Sequence, residues 1–550
     1  MVKVKAYLSA TALRFCLPLL TVIGSASIAP HALWAADPLA SFYEYTPLVT
    51  DQQQWSLEKQ TVRVSPNGKH IAGVAVHAID FTGYALIHDG TTHHYGLAKP
   101  VFSFQPQTDQ VHALFSDNRQ WFKRVNHRTL DERHYQPEGD IIFSSNGKHM
   151  AYVGIEDLKR YVLLDDKAAD GPFQKIDRDS IKFTADGHVL TYRAMSDGIW
   201  RIYINGRSDS RWMQIGNKIF TAQQGGDVFY HARRGDKWHI IRVGRTNQRD
   251  QVWGGYINLK NNIHFSGNGK HAAWWAQSKP GWWDLYVNGK AISACRTRTP
   301  GDIALSHDGS AIAATHQTVG STTWRAVVNG QPLDEPFDAI ASGSLRLSAS
   351  GKHLAFGIKQ DGHWKLYLDG KILGQTTGLL KNGLILSETG RIAYAGRDLL
   401  GKWRVWDAKD GITRRSEAYD GINPGSLQFS PIIPGTNAHR LAYIANIDNR
   451  DVAVVDGVML GMRSKITRLV FSPNAKHVAF IGSRIDKKQL IINGKPASAP
   501  FHDLAPGGKI VFGNDGAVLV MVEQKPGKYG RIDAHLAPTP TTSEMAQVIE

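Results

Sequence analysis

Apolar residues occur along this chain in short runs broken by Gly, Asn, Asp and Pro, and beyond residue 36 no window of eleven or more carries a helical 3.6-residue period. Short apolar runs bounded by turn residues predict β-strands. The runs also repeat. VSPNGKHIAGV from Val64, FSSNGKHMAYV from Phe143, FSGNGKHAAWW from Phe265, LSASGKHLAFG from Leu347 and FSPNAKHVAFI from Phe471 share one pattern, and weaker copies start at Phe183, Leu305, Leu386 and Phe429. Taking the small hydroxyl residue as a marker places copies at Ser65, Ser103, Ser144, Thr184, Thr221, Ser266, Ser306, Ser348, Ser387, Ser430 and Ser472, with Gly513 in that slot in a last copy. The mean spacing is about 41 residues, so twelve copies fill the chain.

A second periodic signal lies inside each copy. An aromatic residue opens a short apolar strand that ends in Asn-Gly or Asp-Gly six positions on: Tyr84 leads to Gly90, Trp200 to Gly206, Trp283 to Gly289, Trp324 to Gly330 and Trp364 to Gly370. Trp121, Trp238 and Trp403 occupy the same slot before imperfect turns. Asn-Gly and Asp-Gly between apolar runs are strong hairpin signals, because type I′ turns need positive φ at both central residues. Each copy therefore reads as four short antiparallel strands, which is one propeller blade. The predicted fold is all-β. Because propellers usually close with four to eight blades, twelve blades predict two tandem β-propellers, six plus six, with seven plus five as the alternative. The expected division is 1–36 signal peptide, 37–300 N-terminal propeller, 301–535 C-terminal propeller and 536–550 polar tail. The stretch AISACRTRTPGD from Ala291 to Asp302 is the expected crossing between rings, and the segment 37–61 is the expected source of a ring-closing strand.

The SPNGKHIA and SPNAKHVAF strings resemble the bacterial WD-like propeller repeat of TolB and of the propellers of prolyl oligopeptidase relatives. The resemblance implies blade architecture over nearly the whole chain beyond the signal segment. It carries little about function, since transport accessories, peptidase gates and secreted scaffolds share the repeat. Unlike TolB, this chain places no α/β domain ahead of the blades. Unlike the peptidases, it has no hydrolase domain after about residue 535 and no Gly-x-Ser-x-Gly elbow.

Composition narrows the setting. Lys3, Lys5 and Arg14 precede an uncharged stretch from Phe15 to Ala36 that ends in small residues, the pattern of an export signal cleaved near Ala36. The net charge is +15, and removal of that segment leaves +12. A basic exported protein is expected in the periplasm or secreted medium, with an envelope protein or an anionic polysaccharide as partner, no nucleic acid, and no membrane span after processing. Its only cysteines are Cys16 and Cys295, so the processed chain has no internal disulfide and no Cys-based zinc site.

The chemistry-bearing motifs are mostly missing. None of the Gly-Lys pairs is followed by Ser or Thr, which argues against a phosphate loop, and neither HExxH nor an EF-hand loop occurs. His70, His149, His271, His353 and His477 recur after the same turn, but equivalent positions on different blades lie too far apart to share a metal ion. No metal site and no cofactor are expected. Asp186, Asp308 and Asp515 follow the marker as in a sialidase Asp-box but lack its aromatic. Seven tryptophans fill the repeat slot and Trp274 replaces Phe356 and Phe480 in the second strand, while Trp212, Trp253, Trp282 and Trp406 are among those that fall outside the slot. Trp282, beside Lys279, with Trp253 and Trp212, is the candidate ligand-binding set, since an exposed Trp near Lys can stack on sugar rings and attract an anionic chain. No catalytic residue is assigned. The expected function is a non-catalytic exported binding scaffold; the alternative is a carbohydrate-active hydrolase or lyase with its site in a propeller funnel.

Overall fold

The computed structural model describes residues 40–536 apart from 50–53, 80, 82, 118–119, 127, 209–211, 244–249, 261, 334, 410–411, 437 and 514–516. The signal segment, most of the polar tail and Asp515 lie outside the described residues. Apart from one 3₁₀ turn at Lys59–Thr61, every helix or strand among the described residues is a β-strand. The strands form twelve antiparallel sheets in chain order, the blades of a β-propeller ring. Blades 1 to 6 span 55–95, 101–134, 136–173, 175–208, 214–256 and 258–297; blades 7 to 12 span 300–332, 339–376, 378–415, 421–463, 465–496 and 503–536. Blade 12 takes its outer strand from the other end of the chain, where Ala40–Val49 pairs antiparallel with Lys528–Leu536. The closing strand expected from residues 37–61 is thus present.

The repeated sequence builds each blade through two turns at one rim. In the first, Ser65 Oγ donates to Asn67 Oδ1 (2.7 Å) and accepts from His70 N (3.0 Å), while Gly68 at φ +81° lets its own N–H reach Ser65 O (2.9 Å). In the second, Asp89 and Gly90 both take positive φ, as do Asn288–Gly289 and Asp369–Gly370, the signature of type I′ turns. The Asp or Asn side chain then reaches back to the second strand. Asp89 Oδ1 accepts from Ile71 N (2.9 Å) and Asn288 Oδ1 from Ala272 N (3.0 Å). The repeated residues therefore fold the blade. In two copies the marker shifts: Gln105 and Ala222, rather than Ser103 and Thr221, hold the first-turn position, each bonded through its N–H to Gln110 O and Asp227 O. The turns there lack the SxNG string, so sequence spacing alone misplaced them by two and one residues.

Neighbouring blades pack face to face through apolar side chains. The second strand supplies a large ring at one repeated position, and Tyr152, Trp274, Phe356 and Phe480 are all fully buried. The placement of Trp274 with Phe356 and Phe480 agrees with the sequence. Every consecutive pair of blades shares such a cluster, and the twelfth blade meets the first through Met521, Tyr529, Val49, Trp55 and Ile71. The seam between blades 6 and 7 is equally continuous: Trp275, Leu285, Cys295, Ile303 and Val327 share one cluster, and Trp275 Nε1 donates to Gly301 O (3.0 Å). The stretch 291–302, expected as a polar crossing, is instead largely strand, in Lys290–Thr297 and Pro300–Leu305, with Cys295 and Thr297 buried. Its polar residues alternate with inward-facing ones, which is how a strand in a blade satisfies both neighbours. The packing marks no boundary at residue 300.

Candidate ligand-binding site

The recurrent histidines are accounted for within their own blades. His70 Nδ1 lies 2.6 Å from Asp89 Oδ2, His149 Nδ1 2.8 Å from Asp165 Oδ2 and His353 Nδ1 2.7 Å from Asp369 Oδ2, while His271 and His477 make the same contact to Asn288 and Asn493 at 2.9 Å. Each imidazole ties the first turn to the second. Asp186 and Asp308 also serve the turn. Asp186 Oδ1 accepts from Thr184 Oγ1 and Asp308 Oδ1 from Ser306 Oγ, with hydrogen bonds from Ser310 and Ser306 holding the Asp308 carboxyl down to about 2. They stand where Asn67 stands in blade 1.

The four residues singled out by sequence separate into two pairs. Lys279 and Trp282 face one another across the hairpin tip formed by Pro280 and Gly281, with Lys279 exposed and Trp282 half-buried under the Arg298 guanidinium, 4.9 Å from its ring. Trp212 is buried, in the cluster of Ile202, Ile215 and Tyr230. Trp253 packs against Trp274 and Phe229, with ring centroids 5.4 and 6.3 Å apart. A ring enclosed by its neighbours offers no face to a sugar, so Trp212 is a packing residue here, while Trp253 is half-buried against that cluster. They escaped the repeat slot because they sit on outer or linking segments, whose apolar positions follow no fixed spacing. The slot residues themselves are half-buried and often capped by a cation: Arg193 lies over Trp200 (5.2 Å), Lys260 over Trp283 (5.3 Å) and Arg397 over Trp403 (5.0 Å).

A different group of residues forms a recess on the inner wall. The innermost strands of blades 4 to 8 line a cavity of about 600 Å³. Lys182, Phe220, His264, Ala304 and Arg346 face it from five successive blades, three of them cationic or imidazole. No carboxylate is among the described residues that line it. Lys182 is the penultimate residue of the strand Lys175–Phe183 and donates through Nζ to Ile219 O on the next blade. Arg346 Nη1 donates to Gly343 O and Leu345 O, each at 2.9 Å. His264 Nε2 lies 3.2 Å from Asn262 Nδ2. Burial pushes all three toward deprotonation; for His264 and Arg346 the Asp302 carboxylate opposes that shift. Asp302 is itself engaged, its Oδ2 accepting from Gly343 N at 2.7 Å. The recess thus holds partly dehydrated positive charge whose bonds go mostly to neutral carbonyls, an arrangement that favours an anion over water. Sequence reasoning missed it because its members come from five copies about 41 residues apart, at a position that is Phe or Ala in the intervening copies.

No protein-family model matches the chain, and no curated protein does. Among solved structures, a eukaryotic initiation factor is similar at 11% identity, covering 68% of this chain and 90% of that one with a TM-score of 0.31. A structure from a study of two prolyl endopeptidases is similar at 13% identity, covering 56% of this chain and 54% of that one with a TM-score of 0.26. Likeness at this level assigns neither function nor family; what stands is a twelve-bladed β-propeller, described by its own strands.

Proposed function

We propose that this protein is an exported, non-catalytic β-propeller scaffold of the TolB-like repeat type that binds an anionic polymer of the cell envelope, with the inner-wall recess as its charged anchor. The observation that carries the reading is the convergence of Lys182, His264 and Arg346 on one cavity of about 600 Å³ without a lining carboxylate among the described residues. A net charge of +12 after removal of residues 1–36 adds long-range attraction, and the exposed Lys279 beside Trp282 offers a second, peripheral contact. A glycosidase needs two carboxyl groups about 5–10 Å apart, and the recess supplies none of its described lining for that purpose.

Titration of the processed protein with an acidic polymer, such as a polyuronate, and a neutral glucan at two salt concentrations tests the reading. The acidic polymer is expected to bind and to weaken steeply as salt rises, because exposed charges are screened within about 10 Å near 0.1 M. Lys182→Gln with Arg346→Gln is expected to weaken binding by at least about tenfold, the equivalent of about 1.4 kcal/mol. Equal affinity for the neutral glucan, or full binding by the double variant, refutes the anchor. Cleavage of the polyuronate would instead favour a lyase.

A further inference from the structure

Blade 1 departs from its copies at one position beside a repeated pair. The residue before the second-turn Asp or Asn is apolar in the matching blades: Leu164 before Asp165, Val287 before Asn288, Leu368 before Asp369 and Ile492 before Asn493. In blade 1 it is His88, next to Asp89. That change brings a second imidazole to the His70–Asp89 pair. His88 Nε2 lies 3.5 Å from Asp89 Oδ2, His70 Nδ1 lies 2.6 Å from the same oxygen, and the three donor atoms fall within 4.8 Å of one another.

We infer that His70, His88 and Asp89 form a binding site for a divalent zinc-class cation, found among the described residues in blade 1 alone. Two imidazoles and one carboxylate are a ligand set zinc accepts, with the fourth position left to water. Zinc–nitrogen bonds of about 2.0–2.1 Å place tetrahedral ligands about 3.3 Å apart. The His88–Asp89 separation already meets that value, and the His70–Asp89 contact must open by less than about 1 Å as the metal replaces the proton shared between them. The supporting contacts are in place. Asp89 Oδ1 accepts from Ile71 N (2.9 Å), His70 N donates to Ser65 Oγ (3.0 Å), and the His88 ring rests against Phe104 at 5.9 Å. Such contacts fix ligand orientation. Of the charged groups around His70, Asp109 on blade 2 favours a cation and Arg531 on blade 12 opposes it. Solvent reaches the site, since the His70 side chain is 41% exposed and His88 12%.

The protein carries its own controls, because blades 3 and 8 keep the His–Asp pair without the second imidazole. Tag-free protein lacking residues 1–36 is titrated with Zn²⁺ against a chromophoric chelator, and with Co²⁺ to read the visible spectrum. One tight Zn²⁺ per chain is expected, with a Co²⁺ spectrum of tetrahedral intensity. His88→Leu restores the residue found in blades 3 and 8 and is expected to weaken Zn²⁺ at least about tenfold and abolish the Co²⁺ band. Asp89→Asn, the residue of blades 6 and 11, keeps the turn and serves as the second variant should His88→Leu fail to fold. His149→Ala is expected to leave the titration unchanged. Absence of a stoichiometric Zn²⁺, or an affinity retained within about twofold in a folded His88→Leu or Asp89→Asn chain, overturns the proposal.

Discussion

Acid should loosen this ring through histidines buried as neutral groups. His112, on the second strand of blade 2, is buried beside Phe143 with Nε2 3.0 Å from Gln105 Oε1, and His231, on the second strand of blade 5, is buried against Phe220. Burial pushes both down to about 4, helped by Lys123 near His112 and Lys218 near His231; Asp166 acts against the shift at His112. In the unfolded chain both titrate near 6.5. The unfolded state therefore binds more protons between pH 6.5 and 4, so stability is full above pH 6.5 and falls as pH drops through that window. At 1.36 kcal/mol per unit, each histidine contributes about 3 kcal/mol across the whole window, and at pH 5 each has lost about 2 kcal/mol. Unfolding entropy of about 2.1 cal/mol/K per residue over the 500-residue unit 39–538 makes 1 kcal/mol worth about 1 °C. The pair should lower Tm by about 4 °C between pH 8 and pH 5. The measurement is thermal unfolding followed by tryptophan fluorescence at both pH values, for the wild type and for His112→Gln with His231→Gln. The double variant should lose about 4 °C less than the wild type over that range, whatever its Tm at pH 8. His239, His264 and His316 are also held down by burial and should leave it a residual acid sensitivity. Equal losses in the two proteins would refute the assignment.

Three further outcomes are expected. Trp274→Ala removes a fully buried ring and should cost about 3–5 kcal/mol by denaturant unfolding, whereas Trp282→Ala, half-buried at a hairpin tip, should cost under about 1 kcal/mol. The Cys295 thiol is buried and pushed up to about 12, so in the chain lacking residues 1–36 a thiol reagent at pH 8 should find no reactive group until denaturant is added, and limited proteolysis should spare 291–302. A chain shortened to begin at Asp37 should keep its Tm, while one beginning at Asp51 should unfold at lower temperature and self-associate, because it lacks the strand that covers the outer edge of blade 12; a monomeric Asp51 chain of unchanged Tm would contradict that.

The blade was legible because its turns are local. Ser65, Asn67, Gly68 and His70 act on one another within six residues, and Asp89–Gly90 closes the second hairpin through its own backbone, so a repeated string suffices to place four strands. The closing strand was legible as a segment, 37–61, but its partner was not, since Lys528–Leu536 lies nearly 500 residues away. The surroundings of Trp212 and Trp253 were not legible for a related reason. Outside the slot, spacing says nothing about which ring a side chain will meet, and theirs meet Tyr230 and Trp274 on strands their own position does not predict.

In a repeat ring the shared residues are absorbed by the fold, and chemistry must be sought where one copy differs. His149 and His353 show the rule: both satisfy an aspartate of their own blade and both follow an unbroken repeat. His88 breaks the repeat at a position the matching blades fill with an apolar residue, and it places a second imidazole beside an already paired His70. The inner wall follows the same logic in a second form. The position two residues before the first-turn marker faces the cavity in blades 4 to 8, where it is filled by Phe220 and Ala304 as well as by Lys182, His264 and Arg346. Lys182 and Arg346 are held partly dehydrated at a site where an apolar residue would carry no desolvation cost. On the reading proposed above, an anionic ligand in the channel would offset that cost, and the polyuronate titration tests whether one does.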